Sequence, residues 1–208
     1  MQDNGFKYKT RNYADYQQYL DHQKTKLPIL QKYQPEWIPA YDSKYLPVLT
    51  ERLKKSHDIQ YWHGKKVLCL GARQGTEVRA FRSVGAFAVG IDICVFEPEK
   101  NPYVMYGDFQ HIEFPDNTVD VVFMNVMDHV YDAKMLIEEI KRVLVKGGLF
   151  ITEIIDGADK RKKLGFFESM WWESTTDCVK FFESSGLTSV EQYDITKPWT
   201  GIYLQMRI

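Results

Sequence analysis

Residues 67–77 read Val67-Leu68-Cys69-Leu70-Gly71-Ala72-Arg73-Gln74-Gly75-Thr76-Glu77, and this stretch decides the fold. A short apolar run that ends on glycine reads as a strand buried on both faces, the signature of a parallel sheet. Gly71 and Gly75 let the backbone turn sharply and come close to a ligand. From Thr76 to Val84 the spacing becomes helical, and Gly85 closes the helix.

The same unit repeats toward the C-terminus. Phe87–Ile91 predicts a second strand ending at Asp92, and Val104–Tyr106 a third ending in Gly107-Asp108. Val119–Met124 predicts a fourth ending at Asn125. Ala133–Leu144 is an amphipathic helix stopped by Gly147-Gly148, and Leu149–Ile155 a fifth strand. Thr175–Ser184 predicts another helix. The last two strands, Thr188–Tyr193 and Ile202–Ile208, are joined through Lys197-Pro198-Trp199-Thr200-Gly201, too short a link for a crossover helix, so they pair antiparallel. The expected fold is α/β, a doubly wound, Rossmann-like seven-stranded sheet with a terminal antiparallel hairpin. In such sheets ligands bind beyond the carboxyl ends of the strands, at Gly71–Gly75, Asp92, Asp108, Asn125 and from Ile155 onward.

The chain divides at about residue 62: an N-terminal helical extension (1–62) and the α/β domain (63–208). In the extension, Asn12–Lys26 predicts one helix. Isolated prolines then break the chain, and Ser43–Lys55 predicts a second helix capped by Ser43. The 208 residues carry 27 Lys and Arg against 28 Asp and Glu, a net charge of −1 that argues against a dedicated nucleic-acid binder. Three scattered cysteines argue against a disulfide scaffold or zinc ribbon. No apolar run suits a signal peptide or a membrane span, so the expected location is the cytoplasm. Aromatic residues reach 14%, many outside the expected core strands.

Asp92 follows Gly71 by 21 residues, a spacing that suits a carboxylate accepting from ribose hydroxyls. Nicotinamide enzymes share that pair. Thr76, however, stands where the dinucleotide pattern needs its third glycine, and the terminal hairpin is not usual for those folds. VLCLGARQG, VGID, YGDF, FPDNTVDVVFMNVMDHV and IKRVLVKGGLFI together resemble the class I S-adenosylmethionine-dependent methyltransferases, and most closely their type 11 group. The resemblance runs from about Lys65 to the C-terminus and implies the strand order 3-2-1-4-5-7-6. It implies S-adenosylmethionine as cofactor and S-adenosylhomocysteine as product. It places Gly71, Ala72, Arg73 and Gly75 along the methionine part, Asp92 with Ile93 at the ribose, Asp108 and Phe109 at the adenine, and Asn125 near the sulfonium. Cys69 and Arg73 replace the acid and the middle glycine of the family's Asp-x-Gly-x-Gly-x-Gly. Arg73 can instead clamp the methionine carboxylate through two parallel hydrogen bonds. Cys69 is expected to pack as a small buried residue.

Methyl transfer to a hydroxyl needs an aligned acceptor and an exit for its proton. His129, with Asp128 to orient it, is the candidate base. The competing role is structural, with Asp128 as a helix cap. Two adjacent ligands are too few for a metal, and none is expected. Glu77 opens a helix, where the dipole favours an acid anyway. Asp120, at the start of the fourth strand, is expected to be structural. The expected acceptor is a small molecule or sugar. Lys160-Arg161-Lys162-Lys163 and the Trp171-Trp172 pair lie in a long connection that can border it. The tyrosine-rich N-terminal helices can cover the cleft or form a homodimer contact. A non-catalytic cofactor-binding subunit and a nicotinamide oxidoreductase are the rival functions.

Overall fold

In the computed structural model, residues 8–161 and 165–208 are described. Lys162 and Lys163 of the basic run lie outside them. The chain forms β1 (Tyr8–Thr10), α1 (Tyr16–Lys24), α2 (Lys26–Tyr33), α3 (Trp37–Ser56), α4 (Ile59–Trp62), β2 (Lys66–Leu70), α5 (Thr76–Ser83), β3 (Phe87–Asp92) and β4 (Val104–Tyr106). It continues with β5 (Val119–Met124), α6 (Ala133–Val143), β6 (Leu144–Ile155), β7 (Met170–Trp172), α7 (Thr175–Ser184), β8 (Thr188–Ile195) and β9 (Gly201–Arg207).

Seven strands form one sheet in the order β4-β3-β2-β5-β6-β9-β8. Counted from β2, this is the expected order 3-2-1-4-5-7-6. β2 pairs parallel with β3 and β5, whereas β9 runs antiparallel to both β6 and β8. Because side chains alternate along a strand, β2 feeds two cores. Leu68 and Leu70 pack under α6 and α7 with Leu136, Ile140 and Phe182. Val67 and Cys69 pack under α3 and α5 with Leu49, Leu53 and Phe81. Cys69 is fully buried, as expected, and burial pushes its thiol well above its usual range. Asp120 accepts from the Lys66 amide at the start of β2, a structural role.

The N-terminal region departs from expectation. The helix predicted over Asn12–Lys26 is present as the shorter α1, capped by Asp15 accepting from the Gln18 amide, while α2 lies in the stretch where prolines were expected to break the chain. The second predicted helix begins at Trp37, six residues before Ser43, and Ser43 is not its cap but bonds back to the Ala40 carbonyl inside α3. The prolines do not break these helices. Pro28 and Pro39 each occupy the third helical position, where the missing N–H has no intrahelical partner to lose. Pro47 lies in the interior of α3 and costs one bond, but Tyr45, Leu49 and Leu53 are fully buried along the same helix and outweigh it. β1 pairs with β7 in a separate two-stranded sheet, so the chain start is tied to the connection after β6. Among the described residues, no helix is long and apolar enough to cross a membrane.

Candidate active site

Four loops converge at the carboxyl ends of β2, β3, β5 and β6. Between them and the N-terminal helices is a cavity of about 220 Å³. Of the residues expected at the cofactor, Gly71, Ala72, Arg73, Asp92, Ile93, Phe109 and Asn125 line it, as do Asp128 and His129. Gly75 and Asp108 do not.

The glycine loop is built tightly. Gly71 has φ +72, and a Cβ there would come within 2.6 Å of Val126 Cγ2. Gly75, also left-handed, starts α5 and closes the turn by donating to the Ala72 carbonyl, so its role is in the loop backbone. Arg73 takes the family's middle-glycine position with φ +24, a conformation unfavourable for a side-chain-bearing residue. Its guanidinium lies 4.9 Å from the Trp37 ring and 6.0 Å from the Tyr41 ring, at cation–π range. Its Nε donates to Gln74 Oε1 (2.8 Å), and its terminal nitrogens have no hydrogen-bond partner among the described residues. Gln74 Nε2 and Trp199 Nε1, in the wall of the same cavity, are buried without partners. A buried unpaired donor is costly, so Gln74 Nε2 and Trp199 Nε1 each call for an acceptor.

Asp92 ends β3. Its Oδ2 accepts from the Arg73 amide (2.9 Å) and its Oδ1 from the Cys94 amide (2.6 Å). Each oxygen has a second lone pair for a ligand hydroxyl. Asp108 is placed differently from expectation. Its oxygens take the Tyr16 hydroxyl (2.5 Å) and the Gln110 amide (2.9 Å), which ties α1 to the loop after β4 and leaves Phe109 to face the cavity.

Around Asn125 lies a group the sequence did not assign to the site. Glu77 is buried, and its Oε1 accepts from the Tyr41 hydroxyl (2.8 Å) and from Asn125 Nδ2 (3.2 Å). Burial raises its proton affinity, while these two donors and the nearby Arg73 oppose the rise.

His129 follows Asp128 in a single 3-10 turn. Its Nδ1 lies 2.9 Å from the Phe167 carbonyl, which can only accept, so Nδ1 carries the proton. Nε2 therefore accepts from Lys26 Nζ at 2.7 Å. Asp128 is 3.6 Å from Nε2, so Phe167 and not Asp128 orients the ring. Burial and the Lys26 charge push His129 well below its usual range. The expected base is thus a neutral imidazole with both nitrogens engaged. Burial likewise raises Asp128. Among the described residues no group of three His, Cys, Asp or Glu side chains is placed to hold a metal ion.

Besides Gln74, Glu77 and Trp199, sequence reasoning missed Lys26, Tyr19, Gln23, Trp37 and Tyr41, which all come from the N-terminal helices. Trp37, Tyr41 and Tyr45 form an aromatic stripe at helical spacing, a usable signal that the neighbouring prolines obscured. Lys26 carries no such signal.

A glycine loop after the first strand, a carboxylate closing the second, and an antiparallel hairpin at the sheet edge give the chain the fold of the S-adenosylmethionine-dependent methyltransferases it resembles. Residues 68–152 match the family model described as "Methyltransferase domain". The chain also resembles sterol 24-C-methyltransferase ERG6B of Gibberella zeae, at 29% identity over 129 residues. That match covers 52% of this chain but spans only about a third (34%) of the fungal protein. Among solved structures, the fold resembles the 1,6-didemethyltoxoflavin-N1-methyltransferase of Burkholderia thailandensis, whose structure holds 1,6-didemethyltoxoflavin and S-adenosylhomocysteine. The TM-score is 0.74 at 11% identity, covering 95% of this chain and 92% of that one. A SAM-dependent methyltransferase from Aquifex aeolicus aligns with TM-score 0.59 at 20% identity, covering 76% and 89%. The donor set fits S-adenosylmethionine. It offers a carboxylate with spare lone pairs for a diol and three side chains with unmatched N–H donors, Arg73, Gln74 and Trp199, for a carboxylate.

Proposed function

We propose that the protein methylates a hydroxyl oxygen on a small-molecule or sugar acceptor. The observation that carries this reading is one cavity lined by Gln74 and Trp199, each with a buried unmatched donor, by Arg73, and by Asp128 and His129. When bound, S-adenosylmethionine supplies a methyl group on a cationic sulfur. Arg73 grips its carboxylate with Gln74 and Trp199, and Asp92 with the neighbouring Ile93 holds the ribose. Phe109 packs on the adenine, with Asp108 acting through the loop that carries Phe109. Asn125, fixed by Glu77 and Tyr41, borders the reacting end. His129 acts through Lys26, whose ammonium it positions, and Asp128 supplies negative charge beside that pair. In this reading residues 1–62 roof the domain formed by 63–208 and exclude water from the transfer.

Calorimetric titration with S-adenosylmethionine, S-adenosylhomocysteine and NAD tests the cofactor site. Micromolar binding of the sulfur ligands with none of NAD is expected. Mass spectrometry of acceptors incubated with labelled cofactor then locates the new methyl group. Methylation at nitrogen or carbon alone would overturn the hydroxyl assignment. Binding without transfer to any acceptor would favour the non-catalytic subunit.

A further inference from the structure

A second space opens beside the first cavity. It lies between α2, the start of α3 and Phe166–Phe167, has a volume of about 520 Å³, and is lined mainly by Ile29, Leu30, Tyr33, Phe166 and Phe167. Lys26 and Trp37 line both spaces, so the two meet at one cation and one aromatic ring. Tyr33 and Phe166 are 68% and 65% exposed, large apolar surfaces that a ligand would cover. Among the described residues of this lining, Lys26 is the only charged one and Gln34 the only amide. A sugar, whose hydroxyls each need a partner, is poorly served by such a wall. A flat apolar ring is well served.

We propose that this groove is the acceptor subsite, and that it takes a planar aromatic molecule whose acidic hydroxyl, a phenol or enol, lies as its anion against the Lys26 ammonium. The inference rests on the methyltransferase reading above and narrows its acceptor. The geometry joins groove and charge. The Phe167 carbonyl fixes His129, His129 Nε2 holds Lys26 Nζ, and that nitrogen lies 5.9 Å from the Phe167 ring. Arg73, Asp92, Cys94 and Asp128 face the amine from the cavity side. Burial and Arg73 lower it to about 8, which keeps it mainly protonated at neutral pH, while Asp128 and Asp92 partly offset the fall. The acceptor's proton leaves to water on binding, and the ammonium pairs with the oxygen anion left behind. No base is then needed at the moment of transfer, which agrees with a His129 that has no nitrogen to spare.

The test uses 4-nitrophenol, whose anion is coloured, added to the full chain saturated with S-adenosylhomocysteine. Near one pH unit below the free probe's own midpoint, saturable binding is expected, with phenolate absorbance rising about fivefold for the bound probe. Lys26→Met should abolish the rise. Phe167→Ala should weaken the probe about tenfold while leaving S-adenosylhomocysteine affinity unchanged. Glucose 6-phosphate should not displace the probe. Protein that binds S-adenosylhomocysteine but shows no saturable phenol binding, no change in ionisation, or a rise that survives Lys26→Met overturns the proposal. So does displacement by the sugar phosphate, which would assign the groove to an anionic sugar. Failure to bind S-adenosylhomocysteine would instead overturn the reading beneath it.

Discussion

The floor and the roof of the cavity are built by different means. The floor consists of strand-end loops on a sheet whose two faces are packed, and its key atoms are backbone amides, such as those of Arg73 and Cys94 on Asp92. The roof is helical and is fastened by side chains. α3 lays two tyrosines, one turn apart, onto two buried carboxylates: Tyr41 on Glu77 (2.8 Å) and Tyr45 on Glu153 (2.9 Å). Glu153 is further paired with Arg52 (2.5 Å), whereas Glu77 accepts from Asn125 and the tyrosine and has no ion pair among the described residues. One carboxylate is therefore an anchor beneath the roof and the other a polar group in the wall of the site. Among the described residues, α1 and α2 have no buried Arg–carboxylate pair of this kind to the sheet. Polar contacts hold them, such as Tyr16 to Asp108 and Gln23 to the Phe167 carbonyl.

The contrast breaks most severely at the anchor. Arg52→Leu leaves a buried carboxylate unpaired and should cost about 3–5 kcal/mol in urea unfolding. Adding Glu153→Gln should recover much of it. Burial raises Glu153 to about 7 from the ordinary 4.5. Its contribution is therefore fully present below about 4.5 and lost as pH rises through 7, and Glu153→Gln should flatten the stability profile across that window.

Arg73→Gly removes the clamp and relieves the positive φ. S-adenosylhomocysteine should bind roughly tenfold to a hundredfold more weakly in calorimetry, with no loss of thermal stability. Tyr45→Phe and Tyr41→Phe each delete one hydroxyl donated to a carboxylate, worth about 1–2 kcal/mol. The first should lower stability alone, and the second should also weaken S-adenosylhomocysteine. Equal effects of the two on cofactor affinity would erase the distinction between anchor and site. The smallest difference should appear in hydrogen exchange: α3 amides exchanging more slowly than those of α1 and α2, and bound S-adenosylhomocysteine narrowing the gap.

The same division governs what could be read from sequence. The floor was legible because strand, glycine turn and carboxylate are local features with fixed spacing. All seven sheet strands followed from runs such as Val119–Met124, and their order from the family resemblance. The roof was not legible. Pro28, Pro39 and Pro47 suggested breaks where two fall in first turns and one is tolerated, and a three-residue strand such as β1 has too little pattern to recognise. Asp128 and His129 were read as a pair because they are adjacent. The partner that decides the state of His129, Lys26, is 103 residues away in sequence. Glu77 was read for its helix-end position, while its tyrosine partner comes from the roof.

The central claim is that the cofactor is bound between floor and roof. Trp199 and Trp37 line the cavity from the last hairpin and from α3, so intrinsic fluorescence during an S-adenosylhomocysteine titration reports on both sides at once. A saturable change is predicted, part of it lost in Trp37→Phe and part in Trp199→Phe. No saturable change, or one that neither substitution reduces, would contradict the claim.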